Sequence, residues 1–106
     1  MATGRLGNVA IPATTNTTVY SVPIGVYTVC NISLTNRNTT AVRIRVAMSA
    51  TATPEVQEWI EYDTVVIPNG VFERTGLVLN ESLNIVVYAD AANIGCTVYG
   101  IETSTS

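Results

Sequence analysis

The sequence predicts an all-β chain, an antiparallel β-sandwich of about seven to nine strands, immunoglobulin-like or jelly-roll, with little or no helix. Three observations carry that prediction. Sixteen threonines and fifteen valines dominate the composition. Both are β-branched, stiff at χ1 and suited to a pleated surface. Turn residues recur at short intervals, at Pro12, Pro23, Gly25, Pro54, Pro68-Asn69-Gly70 and Gly95, which is the punctuation of short strands. Two segments alternate apolar and polar residues with period two, the signature of a strand with one wet face. At 106 residues and 47% apolar, the chain suits one domain over 1–106, with a short N-terminal arm (about 1–8) and a C-terminal tail (about 102–106).

The elements follow in order. Strands are expected near 5–11, before Pro12, and near 17–22, before the Pro23-Ile24-Gly25 turn. In the third, 26–36, Cys30, Ile32 and Leu34 share one face and Asn31, Ser33 and Thr35 the other. In the fourth, 41–49, Val42, Ile44, Val46 and Met48 oppose Arg43, Arg45 and Ala47. The intervening TNRNTT is rich in turn formers, so these two strands are expected to form a hairpin. The stretch 57–66 is ambiguous in its first half, where a helical turn can follow Pro54, but its β-branched end favours a strand. Strands near 71–79, 83–89 and 95–102 complete the set, and the continuous apolar run in SLNIVVYAD predicts a central strand covered on both faces.

The charge set narrows the chemistry. Five arginines, no lysine and no histidine stand against eight acids. A net charge of -3 argues against a general nucleic-acid binder, which carries a basic footprint. Without histidine the commonest general base and metal ligand are missing. No G-x-S-x-G, P-loop or G-x-G-x-x-G occurs, so the expectation is a non-enzyme with no catalytic, cofactor-binding or metal residues. No run of about 18 or more apolar residues is present, so no membrane-spanning helix is expected. The leading MATGRLGNVAIP lacks a long apolar run behind Arg5, and no secretory signal is expected there. Cys30 and Cys96 lack C-x-x-C spacing and read as core thiols, with a disulfide as the alternative.

The candidate surface residues are charged and aromatic. Arg43 and Arg45 form a stripe that reads as a solvated strand face, with docking onto acidic protein, or less expectedly onto nucleic-acid phosphate, as its functional alternative. In a regular strand Trp59, Glu61 and Asp63 share one face, with Glu58, Ile60 and Tyr62 opposite. That acidic strand can pair with the arginine stripe, within one chain or between copies. The expected protein interface is Arg5 and Leu6 in the leading arm, Arg43, Arg45, Trp59, Glu61 and Asp63, together with the polar tail 102–106. The aromatics Tyr20, Tyr27, Trp59, Tyr62, Phe72, Tyr88 and Tyr99 divide between core packing, interface anchors and a carbohydrate stacking platform.

Several strings together resemble a known group: MATGRLG, TTNTTVYSVP, NRNTTAVRIRVAMS, WIEYDTVVIPNGVFERTGLVL and NIVVYADAANIGCTVYGIE. They are similar to small structural proteins of tailed phages of cyanobacteria and other aquatic bacteria. The similarity runs through nearly the whole chain, and EYDTVVIPNGVFERTGLVL is its strongest marker. Some proteins of this kind look like capsid cement proteins. The resemblance implies a β-sandwich component of the virion, made in the bacterial host cytoplasm, more firmly than it implies a location; the expected location is the phage head surface. It implies no catalytic residue. The expected partners are the phage major capsid protein and further copies of the chain, with no nucleic acid, membrane or cofactor. The alternative is a tail, neck or fibre module that contacts host-surface carbohydrate.

Overall fold

The computed structural model describes residues 3–105. Among the described residues eight strands follow one another: β1 (Thr3–Ile11), β2 (Thr17–Ser21), β3 (Val26–Asn36), β4 (Val42–Ser49), β5 (Trp59–Val66), β6 (Val71–Leu79), β7 (Asn84–Ala89) and β8 (Ile94–Ser104). One turn of 3₁₀ helix, Val56–Glu58, precedes β5 and fills the place where the sequence allows a helical turn. Expected and observed strands agree in number and nearly in bounds, and 26–36 and 71–79 coincide with β3 and β6.

The strands form two four-stranded antiparallel sheets, ordered β1-β8-β3-β6 and β2-β7-β4-β5. Only β4 and β5 are consecutive in sequence and adjacent in a sheet; every other connection crosses between sheets. That order is a jelly roll, not the immunoglobulin pattern, in which several sequence neighbours pair within one sheet.

One expectation is overturned here. β3 and β4 form no hairpin, because they lie in different sheets. The turn residues between them carry the chain over one end of the sandwich, and Asn36 directs the crossing. This side chain is 1% exposed. Its Nδ2 donates to the carbonyls of Thr40 at 3.0 Å, Val66 at 3.2 Å and Ile67 at 3.2 Å. Its Oδ1 accepts from the backbone N and the Nδ2 of Asn38, both at 3.0 Å. A buried amide satisfied by the loop itself replaces the ladder a hairpin would have supplied.

Period-two patterning places the core between the sheets. Cys30, Ile32 and Leu34 of β3, Val42, Ile44 and Val46 of β4, Ile85, Val87 and Ala89 of β7 and Ile94, Cys96 and Val98 of β8 are all buried. Burying each large aliphatic among them stabilises the fold by about 1.5–3 kcal/mol. Both cysteines are free thiols, and burial pushes Cys30 up to about 11 and Cys96 up to about 12. β7 meets its expectation: it lies between β2 and β4, and Ile85, Val86 and Val87 are all fully buried.

The two open sides of the sandwich close differently. On the β1/β2 side the backbones nearly touch: a Cβ at Gly7 would lie 2.4 Å from the Val19 carbonyl oxygen. On the other side Arg74 of β6 reaches across to Glu61 of β5. The segment expected as an arm is instead an edge strand, paired with β8 from Thr3↔Ile101 to Ile11↔Ile94. Glu102, Thr103 and Ser104 of the expected tail likewise continue β8 opposite Thr28, Tyr27 and Val26. Met1, Ala2 and Ser106 lie outside the described residues.

Candidate functional site

Two outward faces carry the candidate residues. The outer face of β2-β7-β4-β5 holds the arginine stripe. Register places Arg45 beside Tyr88 of β7, and a break in the β4–β5 ladder brings Asp63 up to it. Arg45 Nε donates to Asp63 Oδ1 at 2.6 Å. The guanidinium carbon lies 4.1 Å from the centre of the Tyr62 ring and 4.7 Å from that of Tyr88. Arg45 is therefore a planar cation held by two ring faces and a carboxylate. Its hydrogen bond holds the Asp63 carboxyl below the usual carboxylate range and, reciprocally, raises the guanidinium. The expected pairing of acidic strand and arginine stripe thus occurs within the chain.

The expected facing of β5 does not hold. Glu61 is the register partner of Val46, an inward residue, whereas Trp59 is the partner of Ala47 on the outer face. Register shifts flank Val46 on both sides, and Asp63 takes a left-handed φ of 53°. Each bulge adds a residue and reverses the alternation beyond it. Asp63 consequently faces Arg45, while Glu61 turns to the β6 side. There it accepts from Arg74 Nη1 and from the Thr64 hydroxyl, the latter at 2.8 Å. Ile60 packs against the core, and Tyr62 comes out beside Trp59. Trp59 and Tyr62 meet edge to face, with centroids 5.8 Å apart and planes at 71°. With Val56 they line a hollow of about 260 Å³.

The 3₁₀ turn that supplies Val56 is tied down by Glu58. Its carboxylate accepts from the backbone N of Glu55 at 2.8 Å, the backbone N of Ala50 at 3.0 Å and the Ser49 hydroxyl at 2.9 Å. These bonds lower the Glu58 carboxyl from its ordinary value, the Glu55 amide contributing most.

The remaining predicted residues are scattered. Arg43 is exposed, and its backbone N donates to Asp90 Oδ1 at 3.1 Å. Arg5 is exposed on β1 opposite Tyr99 of β8. Leu6 falls at the bulge between Arg5 and Gly7 and packs against the core, so it is committed inward. The seven predicted interface residues therefore do not make one surface.

Sequence reasoning missed the other outward face. On β1-β8-β3-β6, Val29 is the register partner of both Val78 and Ile101. These three stand side by side across β6, β3 and β8, exposed by 62% at Val78, 45% at Val29 and 53% at Ile101. Tyr27, next on the same face of β3, is also exposed. The signal was in the alternation already noted: Val29 and Tyr27 share the parity of Asn31, Ser33 and Thr35. Toward the other end this face turns polar, and Tyr99 donates to Glu73 Oε2 at 3.2 Å.

Among the described residues no cluster of three or more His, Cys, Asp or Glu side chains is placed to hold a metal ion. No protein family model, no curated protein and no solved structure matches the chain.

Proposed function

We propose that this chain is a non-enzymatic structural protein of a phage virion, a cement or decoration protein that braces major capsid protein subunits on the head. The observation that carries the reading is the exposed row Val78–Val29–Ile101 with Tyr27 beside it. Single exposed aliphatics are ordinary on a protein surface, whereas an apolar row running across neighbouring strands of a sheet face marks a contact surface. Val29 and Ile101 sit on the central strands β3 and β8 and Val78 on the edge strand β6, all held in ladder register, so docking the row costs little ordering. The jelly roll itself recurs in capsid and lectin domains, and the resemblance of the sequence strings points the same way.

In this reading the β1-β8-β3-β6 face lies on the shell across a boundary between capsid subunits. Each contact is modest. Many copies on one lattice stabilise it by mass action, because the protein binds assembled shell and not loose subunits. Arg45 and Asp63 satisfy each other within the chain and take no part in attachment.

The test is to strip the protein from purified particles and heat them with and without the protein added back. Stripped heads are expected to open at lower temperature, and the added protein to restore them. Equal stability with and without it would end the cement reading. Counting copies separates head from tail: hundreds per particle place it on the head, a few dozen at the tail or neck.

A further inference from the structure

The outer face of β2-β7-β4-β5 carries a feature that capsid attachment does not use. Trp59 and Tyr62 form a corner, and Val56 closes its third side. Val56 is 90% exposed and Tyr62 58% exposed. Apolar side chains grouped round a hollow, rather than scattered singly, mark a contact site. The 3₁₀ turn beneath Val56 is held by the three hydrogen bonds to Glu58, so the hollow is preformed.

The surroundings select what covers it. A cationic ligand is disfavoured, because the Arg45 guanidinium already lies against one face each of Tyr62 and Tyr88 and brings positive charge beside the hollow. An anionic ligand gains little from Arg45, whose charge is matched by Asp63. A neutral ligand with apolar faces fits the corner. Polar groups stand close by: Glu55 and Gln57 flank Val56 in sequence and are exposed, Gln57 Nε2 donating to Glu55 Oε2 at 2.8 Å and leaving the other carboxylate oxygen and the amide oxygen to solvent, and Arg45 uses Nε on Asp63, with no acceptor for its Nη groups among the described residues. An apolar ring face stacked on aromatics, with hydroxyls to amide, carboxylate and guanidinium, is the chemistry of a sugar. At about 260 Å³ the hollow is smaller than pockets that enclose drug-sized ligands. It suits the terminal ring of a glycan.

We infer that the hollow of Val56, Trp59 and Tyr62 is a binding subsite for a neutral saccharide. A pyranose lays its C–H face into the Trp59–Tyr62 corner, Val56 covers its edge, and its hydroxyls meet Arg45, Glu55 and Gln57. The two sheets lie back to back, so a chain seated on a shell through β1-β8-β3-β6 turns this subsite to the medium. The subsite itself is argued without that placement and stands or falls separately.

Trp59 is the only tryptophan of the chain, so its fluorescence reports occupancy directly. The isolated protein is titrated with neutral glucose-, galactose- and mannose-based oligosaccharides, and with a proline-rich peptide as the competing neutral ligand. A saturable fluorescence change with at least one oligosaccharide is expected. It should weaken about tenfold or more in Val56→Asp and in Tyr62→Ala, the loss that follows from removing one stacking or covering contact. Val56→Asp alters a side chain almost wholly in solvent and should keep the parent melting temperature, which guards against misfolding as the cause. No saturable response at about 10 mM of any sugar, equal binding in both variants, or a response to the peptide alone would overturn the inference. Loss of particle stabilisation in the heating test would leave it intact.

Discussion

Arg74 and Glu61 pair across the side of the sandwich that backbone contact does not close, one on the edge strand of each sheet. Arg74 Nη1 also reaches the Ile60 carbonyl at 3.4 Å. Both side chains are only partly covered, with 41% and 21% of their surfaces exposed. A pair so placed contributes at the upper end of the range for surface ion pairs. Arg74→Ala and Glu61→Gln should each lower unfolding free energy by about 1 kcal/mol, and the double variant by less than their sum. Urea titration of the four proteins checks this. Strict additivity would mean that the pair does not hold the sheets together.

Asn36 should be far less tolerant. One amide serves three carbonyls and its oxygen serves two donors of Asn38. Asn36→Ala leaves these groups unpaired in a buried place, at about 1–3 kcal/mol for each that water cannot reach. The variant is expected to lose about 3 kcal/mol or more in equilibrium unfolding. Asn36→Asp should be as damaging, since a carboxylate cannot donate to Thr40, Val66 and Ile67.

Stability should fall at both ends of the pH range, for different reasons. On the acid side Asp63 and Glu58 have folded values below their unfolded ones. Their contribution is present above the unfolded carboxylate values near pH 4 and is lost as pH falls through the folded values. Asp63→Asn with Glu58→Gln should flatten that acid limb. On the alkaline side burial, with the Glu102 hydrogen bond second, pushes Tyr20 up to about 12. Cys96 lies at about 12 and Cys30 at about 11. These groups keep their protons when folded and release them sooner when unfolded. Stability is therefore whole below their unfolded values, about 8.5 for the thiols and 10 for the phenol, and drains away as pH rises toward 12. Melting temperatures from pH 3 to about pH 11 check both limbs. A profile flat above about pH 9 would contradict the burial of the thiols.

Val29→Asp and Val78→Asp separate attachment from folding. Both side chains stand on the outer face, 45% and 62% exposed, so a charge there costs the isolated domain about 0.5 kcal/mol or a little more. On particles the same charge would be desolvated without a partner, at several kcal/mol. Co-sedimentation with stripped heads should fall to background while the melting temperature barely moves. Attachment that survives both changes would move the contact to another face.

The strands were legible because Cys30-Ile32-Leu34 and Val42-Ile44-Val46 alternate without a break, and alternation reports burial directly. It does not report partners. TNRNTT signals a turn equally well in a hairpin and in a crossing between sheets, and only the buried Asn36 makes it the second. β5 was misread for a related reason. The bulges beside Val46 and the left-handed Asp63 leave no mark in residue type, so a strict period of two sent Glu61 to the wrong face. Arg74, the partner it found instead, lies in another sheet. The hollow beside Trp59 depends on that same irregularity, since only a bulged β5 brings Tyr62 out next to Trp59.

The position of β8 has a consequence for how the chain comes to be folded. It lies between β1 and β3, and its residues 94–104 are the last of the described strands to leave the ribosome. Until they emerge β1 has no neighbour in its sheet and β3 lacks one of its two. Folding of that sheet therefore waits for β8 and is slowed by contacts between strands far apart in the sequence. A nascent chain stalled before Ile94 should remain sensitive to protease, and a completed one should gain protection in a single step.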